Sequence, residues 1–161
     1  LETSDKDWDK ILSVNLGGVF HAVKCTLPHM LEKGTGSIIL MGSEQSFIGK
    51  KNRFAYGAIK GAIGQITKSL ALDYANKNIR VNCVCPATID TKLSQKALRN
   101  WAQKEFNGDL EKAYKLESKQ HPIGRIGTPQ EVAESVYFLA SDHASFITGT
   151  LLPIDGGYTA Q

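Results

Sequence analysis

The chain has 161 residues, 42% of them hydrophobic and 22% charged, a composition that supports one globular domain with a core and excludes a disordered or collagen-like chain. Nineteen Lys and Arg against sixteen Asp and Glu leave a net charge of +3. With the two signs interspersed, that is too little for a surface that tracks nucleic-acid phosphates. Cys25, Cys83 and Cys85 have neither structural zinc nor CxxC spacing and read as reduced core thiols of a cytoplasmic protein. His21, His29, His121 and His143 lack paired-ligand spacing, so no metal is expected. No apolar run approaches the roughly 18 residues of a membrane span. Leu1 to Asp5 carry neither an initiator methionine nor a signal-peptide pattern, and the chain reads as cut at its beginning.

Ser4 and Asp7 fit a capping box, and Trp8, Ile11, Leu12, Val19, Phe20 and Val23 then recur at helical spacing, predicting a helix from Asp5 towards Lys33. Asn15 falls on its apolar stripe, where an unbonded amide costs about 1 to 3 kcal/mol. Gly17 and Gly18 follow at once and imply a bend or a close neighbour, and Pro28 implies a second kink. After Gly34-Thr35-Gly36, the run Ser37 to Met41 reads as a strand buried on both faces, ending at Gly42-Ser43. A polar loop to about Arg53 leads to a helix from Phe54 to about Asn76, with Ile59, Ile63, Ile66 and Leu70 inward and Gly57, Gly61 and Gly64 allowing close packing. Asn78 offers a helix stop, and Arg80 to Cys85 form a strand that Pro86 terminates.

Residues 92–120 are charged, moderately helical and poorly periodic, with Trp101, Phe106 and Tyr114 as scattered anchors, and read as a mobile lid. Thr128, Pro129 and Glu131 supply an N-cap, an N1 proline and a capping-box acid for a helix through Val132, Val136 and Leu139. Leu151 to Gly157 finish as a short strand and turn, Pro153 favouring an edge or bulge. The alternation of helix and strand predicts the α/β class with a parallel, doubly wound, Rossmann-like sheet, ligands lying at the carboxyl ends of the strands. Only about three strands are found and no GxGxxG turn, which makes the whole chain, residues 1–161, a single partial dinucleotide-binding and catalytic domain.

Tyr56 and Lys60 lie one helical turn apart, so an ammonium is placed to favour a phenolate and the pair is a candidate base. The same spacing arises by chance as an aromatic anchor beside a solvated lysine. Ser43, at the end of a buried strand, has a hydroxyl that could polarise a substrate oxygen, and by itself is equally a loop serine. Asn15 reads as an amide capping a helix kink, with or without a further role.

Ser13-Val14-Asn15-Leu16, Ser43 thirteen residues before Tyr56, Tyr56-Gly57-Ala58-Ile59-Lys60, Arg80-Val81-Asn82 leading to Pro86, Pro122 to Ala133, and Asp155-Gly156-Gly157 together resemble the short-chain dehydrogenase/reductase family, of the compact type, from about Thr3 to Tyr158. The resemblance implies hydride transfer between NAD or NADP and a secondary alcohol or ketone. It makes Tyr56 the general acid/base, has Lys60 lower the phenol's pKa and hold the nicotinamide ribose, gives Ser43 the substrate oxygen, and has Asn15 hold a water that links Lys60 to solvent. Pro86, Ala87, Ile89 and Thr91 would wrap the nicotinamide, Ala87 standing where the family usually has glycine. The resemblance also implies a homodimer or homotetramer paired through the two long helices, no nucleic-acid or membrane partner, and a C-terminal part whose glycine-rich segment precedes Leu1. Glu44, Gln45 and the 92–120 segment favour a hydroxylated or acidic substrate. Two other readings stand beside this one: a catalytically silent binding or oligomerisation module, and an epimerase or dehydratase of the extended branch, which the C-terminal signatures disfavour.

Overall fold

The computed structural model describes residues 3–161 as a three-stranded parallel sheet with helices on both faces. In chain order the elements are α1 (Asp5–Leu12), α2 (Gly18–Lys33), β1 (Gly36–Met41), α3 (Phe54–Tyr74), β2 (Ile79–Pro86), α4 (Lys92–Glu105), α5 (Leu110–Lys119), α6 (Pro129–Ala140) and β3 (Leu151–Ile154). The strands lie in the order β1-β2-β3. Gly36 pairs with Ile79 at one end of the sheet and Met41 with Val84 at the other.

The central strand is buried on both faces, its side chains pointing alternately to either side. Val81, Cys83 and Cys85 face one side, where Ile59, Ile63 and Ala71 of α3 close the larger core against Ile38 and Leu40. Val84 faces the other side and packs with Leu139 of α6 and Ala144. Each such aliphatic side chain, fully buried, stabilises the fold by about 1.5 to 3 kcal/mol. Polar groups on β2 are satisfied as well: the Asn82 side chain donates to the Ile147 carbonyl and accepts from the Thr150 amide. Arg80 donates to the carbonyls of Leu139, Ala140 and Ser141, supplying a cation to the C-terminal end of α6.

The bend expected around Asn15 is a π-helical turn, Ser13–Gly17, between α1 and α2. Gly18 has open space where a Cβ would stand, so the glycines there serve the turn and not a close neighbour. α2 continues past Pro28 to a left-handed Gly34, so the second expected kink does not break the helix. Asn78, also left-handed, ends the short turn after α3, as its side-chain chemistry allows. Close packing by small residues holds at Gly64, whose added Cβ would stand 2.8 Å from Leu151 Cδ2, but not at Gly61, which faces open space.

The 92–120 segment contains two ordered helices. α4 is opened by the Thr91 capping box and buries Leu98 and Ala102, while α5 is capped by Asp109 and buries Ala113. The moderate helical character read from the sequence resolves into these two helices, and the periodicity is poor because only three of their residues are buried. Of the cysteines, Cys83 and Cys85 are core thiols, whereas Cys25 is exposed on α2, contrary to the expectation for all three. Among the described residues no helix is long and apolar enough to cross a membrane, and no cluster of His, Cys, Asp and Glu could hold a metal ion.

Candidate active site

The site is built where β1 ends. Gly42 donates its amide to the Val84 carbonyl, continuing the ladder by one residue. A Cβ on Gly42 would meet Cys83 Sγ at 2.7 Å, Cys85 Sγ at 2.8 Å and Ser46 Oγ at 2.9 Å, so only glycine lets the chain lie this close to β2. Ser43 then leaves the strand in extended conformation and caps the short helical turn Glu44–Ser46. Ser46 Oγ in turn donates to the Lys60 carbonyl at 2.8 Å, joining that turn to α3.

α3 brings Tyr56 and Lys60 to the same place. Lys60 is only 8% exposed, and its Nζ donates to the Met41 carbonyl at 2.8 Å, two residues before Ser43. The same Nζ stands 5.6 Å from the centroid of the Tyr56 ring. Tyr56 itself is 41% exposed. The Ser43 hydroxyl lies near enough to the Tyr56 phenol to favour its ionisation. Asn15 is half-buried, and its Nδ2 donates to the Ile11 carbonyl at 3.0 Å inside the π-helical turn.

The electrostatics of the pair are set first by burial. Burial raises the Tyr56 phenol above its ordinary value, and the negative charge of Glu44 adds to this, against the Ser43 hydroxyl and the cations Arg53 and Lys50. Burial also lowers the Lys60 ammonium below its usual range, partly offset by Cys83, Cys85 and Glu44. Burial therefore favours the neutral form of the Tyr56 phenol.

Pro86 to Thr91 leave the end of β2 alongside Ser43, since β1 and β2 are parallel and in register to Met41 and Val84. Thr88 O and Asp90 N both bond to Gly127, which turns the Ile89 amide and carbonyl away from that neighbour. The Ile89 carbonyl accepts from Ser94 Oγ at 2.6 Å, and Thr91 Oγ1 accepts from the Ser94 amide at 3.3 Å. Ala87 is not among the residues with positive φ, so alanine adds no backbone strain there. A cavity of about 230 Å³ lies beneath this segment, lined by Ala87, Thr88, His121 and Asp155 among others, and the Ser43, Tyr56 and Lys60 side chains do not reach it.

Sequence reasoning did not find the ion pair behind Ser43. Glu44 is buried, accepts the Ser43 hydroxyl proton in a short hydrogen bond, and meets Lys50 Nζ at 2.9 Å. Lys50 lies 4.4 Å from the centre of the Tyr158 ring, tying the loop to the C-terminal tail. Nothing local marks this pairing, because Tyr158 is reached only through the tertiary fold.

The family model described as Enoyl-(Acyl carrier protein) reductase matches residues 1–159. The chain belongs to the short-chain dehydrogenase/reductase family. It is 42% identical over 154 residues to 2-(S)-hydroxypropyl-CoM dehydrogenase 3 of Xanthobacter autotrophicus, covering 95% of this chain and 58% of that protein. Among solved structures it resembles ligand-free aldohexose dehydrogenase of Thermoplasma acidophilum, with 44% identity, a TM-score of 0.92, and coverage of 99% of this chain and 62% of the other. It also resembles an NAD+-bound xylitol dehydrogenase, with 32% identity, a TM-score of 0.87, and coverage of 96% and 61%. The chain thus spans somewhat over half the length of these short-chain dehydrogenase/reductase relatives.

Proposed function

We propose that this chain carries the proton-transfer and substrate-facing part of an NAD(P)-dependent dehydrogenase acting on a secondary alcohol or ketone. The observation that carries the reading is the convergence of Ser43, from the end of β1, with Tyr56 and Lys60, from one face of α3, joined by the 2.8 Å bond between Lys60 and the Met41 carbonyl. Tyr56 acts as general acid/base at the substrate oxygen. As the neutral phenol it gives its proton to the developing alkoxide when a ketone is reduced; in the reverse direction the phenolate form takes the proton of the alcohol. Ser43 fixes that oxygen beside the phenol. Lys60, kept at the strand end by Met41, supplies the positive charge that any phenolate formed during turnover requires.

The residues present fit a nicotinamide cofactor, which when bound supplies the hydride donor or acceptor. Lys60 Nζ has donors beyond the one given to Met41, suited to ribose hydroxyls. The Ile89 backbone amide, turned from Gly127, suits a carboxamide, with Pro86, Ala87 and Thr91 forming the surrounding wall. Asn15 belongs to this reading as the group that holds a water linking Lys60 to solvent. A homodimer or homotetramer completes it: Phe20 on α2 and Leu72 on α3 are exposed apolar side chains on the two helices expected to pair.

In the full-length protein Tyr56→Phe removes turnover of secondary alcohols and leaves NAD(P) affinity unchanged within a factor of about three. Turnover retained by that variant overturns the role of Tyr56.

A further inference from the structure

We propose that Tyr158 is a positioning residue of this site: its ring carries the Lys50 ammonium and its hydroxyl holds the end of α5, so that the loop leaving Ser43 and the α4–α5 segment keep a fixed spacing on the substrate side. Tyr158 stands on a rigid mount. The Asp155 carboxylate accepts from the Gly157 amide at 2.9 Å, the Thr159 amide at 2.9 Å and the Thr159 hydroxyl at 2.6 Å, which closes the turn after β3 on itself. Gly156 and Gly157 have positive φ, 59° and 85°, and a Cβ on Gly156 would stand 2.6 Å from Ile123 Cγ2. The Ile123 amide donates to the Gly156 carbonyl at 3.1 Å, so the turn is also fastened to the chain just after α5.

From this mount the half-buried Tyr158 side chain reaches in two directions. Towards the loop, Lys50 Nζ lies 4.4 Å from the ring centroid, a cation–π distance, while the same ammonium meets Glu44 at 2.9 Å. Lys50 is thus held between a carboxylate of its own loop and an aromatic face of the turn. Towards α5, the Tyr158 hydroxyl donates to Gln120 Oε1 at 3.3 Å, and the His121 ring lies 5.4 Å away between centroids. A second tie holds α5 to the segment after β2, where the Thr88 hydroxyl donates to Glu117 at 2.6 Å. The loop follows β1 and the α4–α5 segment follows β2, both at the carboxyl ends of parallel strands, where ligands bind.

The consequence for the substrate rests on the acid/base reading of Tyr56. The loop begins at Ser43 and runs to Arg53, three residues before Tyr56, and Lys50 is the point at which the turn after β3 holds it. Releasing that point, or the end of α5, loosens the walls around the substrate and leaves the phenol and Lys60 where they are, so affinity falls while the chemical step persists.

Backbone hydrogen exchange, read by mass spectrometry in the wild type, Tyr158→Leu and Tyr158→Phe, tests this without cofactor or substrate, and neither replacement alters a charge. The reporters are amides such as those of Ser46, Phe47 and Ile48 in the loop and Ala113, Gln120 and His121 in and after α5, all bonded to backbone carbonyls. Tyr158→Leu removes both ties and speeds exchange about fivefold in residues 44–53 and in 110–121, the scale of one cation–π contact or one neutral hydrogen bond. Tyr158→Phe keeps the ring at Lys50 and speeds exchange in 110–121 alone, and α6 exchanges at the wild-type rate in both variants. A Tyr158→Leu protein with either segment at its wild-type rate overturns the proposal, as does a uniform rise that includes α6, the mark of a plain loss of packing. If Tyr158→Leu does not fold, Tyr158→Phe decides on its own: unmoved exchange in 110–121, or equal loosening of 44–53, overturns the proposal. In the full-length protein Tyr158→Leu raises KM for a secondary alcohol about fivefold and leaves kcat within about a factor of two; an unchanged KM overturns the role towards substrate. The exchange result is separate from that of the Tyr56→Phe activity assay, because amides exchange whether or not the chain turns over substrate.

Discussion

Lys60 Nζ donates to the Met41 carbonyl oxygen at 2.8 Å, and this one bond fixes α3 to the end of β1 just before Ser43. A buried ammonium is costly unless hydrogen-bonded. Here it is bonded, so the lysine has a structural duty in addition to the electrostatic one. Lys60→Met therefore loses stability as well as any catalytic function: it leaves the Met41 carbonyl without its donor, at a cost of about 1 to 3 kcal/mol, read as a lower urea midpoint.

The position of Ser43 depends on the absence of a side chain at Gly42. Gly42→Ala puts a Cβ within 3 Å of Cys83 Sγ, Cys85 Sγ and Ser46 Oγ, three atoms packed around the strand end. Overpacking of this kind costs about 1 to 3 kcal/mol. Thermal unfolding of Gly42→Ala at lower temperature, with weakened substrate binding in the full-length protein, is the expected outcome; an unchanged transition would mean that the strand end yields freely.

Thiol chemistry separates the three cysteines. Cys83 and Cys85 are buried with their sulfurs 3.7 Å apart, and the hydrogen bond between them, together with burial, pushes the Cys83 thiol up. Cys25 is exposed. A small thiol reagent at neutral pH therefore modifies one cysteine in the native protein and all three after denaturation; rapid modification of three in the native state would contradict the packing of β2.

Much of this was legible in the chain, for identifiable reasons. The capping box at Thr128 and the 3.6-residue stripe through Leu139 both report α6, and α6 is found where they place it. The apolar run ending at Gly42-Ser43 is a strand as expected, though it is fully buried on one face only, at Ile38 and Leu40, with Ile39 half-buried and Met41 exposed on the other. In the 92–120 segment moderate helical character was legible but the bounds of the two helices were not, since they bury few residues and rely on caps at Thr91 and Asp109. At the site, the spacing of Tyr56 and Lys60 placed them on one face of α3, but not the direction of the phenol's pKa. That direction depends on burial and on Glu44, which the fold turns inward towards Lys50.

Acid stability carries a separate signature at the start of α6. Arg125 donates to both carboxylate oxygens of Glu131, at 3.0 and 2.6 Å, and Thr128 caps the same residue, so the carboxyl is lowered to about 2. The native pKa is depressed below the unfolded one, so the contribution is present above the unfolded value near 4.3 and is lost as pH falls towards 2. Glu131→Gln accordingly flattens the acid dependence of stability across that window; an unchanged acid limb would show that the pair is screened by solvent.

The most direct measurement of the central claim is single-turnover oxidation of a secondary alcohol by the full-length protein and its Tyr56→Phe and Ser43→Ala variants, with cofactor affinity measured in parallel. The expected result is a loss of at least about a hundredfold in the chemical step for Tyr56→Phe, the scale of a lost general acid/base, a smaller loss for Ser43→Ala, and unchanged cofactor affinity in both. A Tyr56→Phe protein that turns over at the wild-type rate would contradict the account.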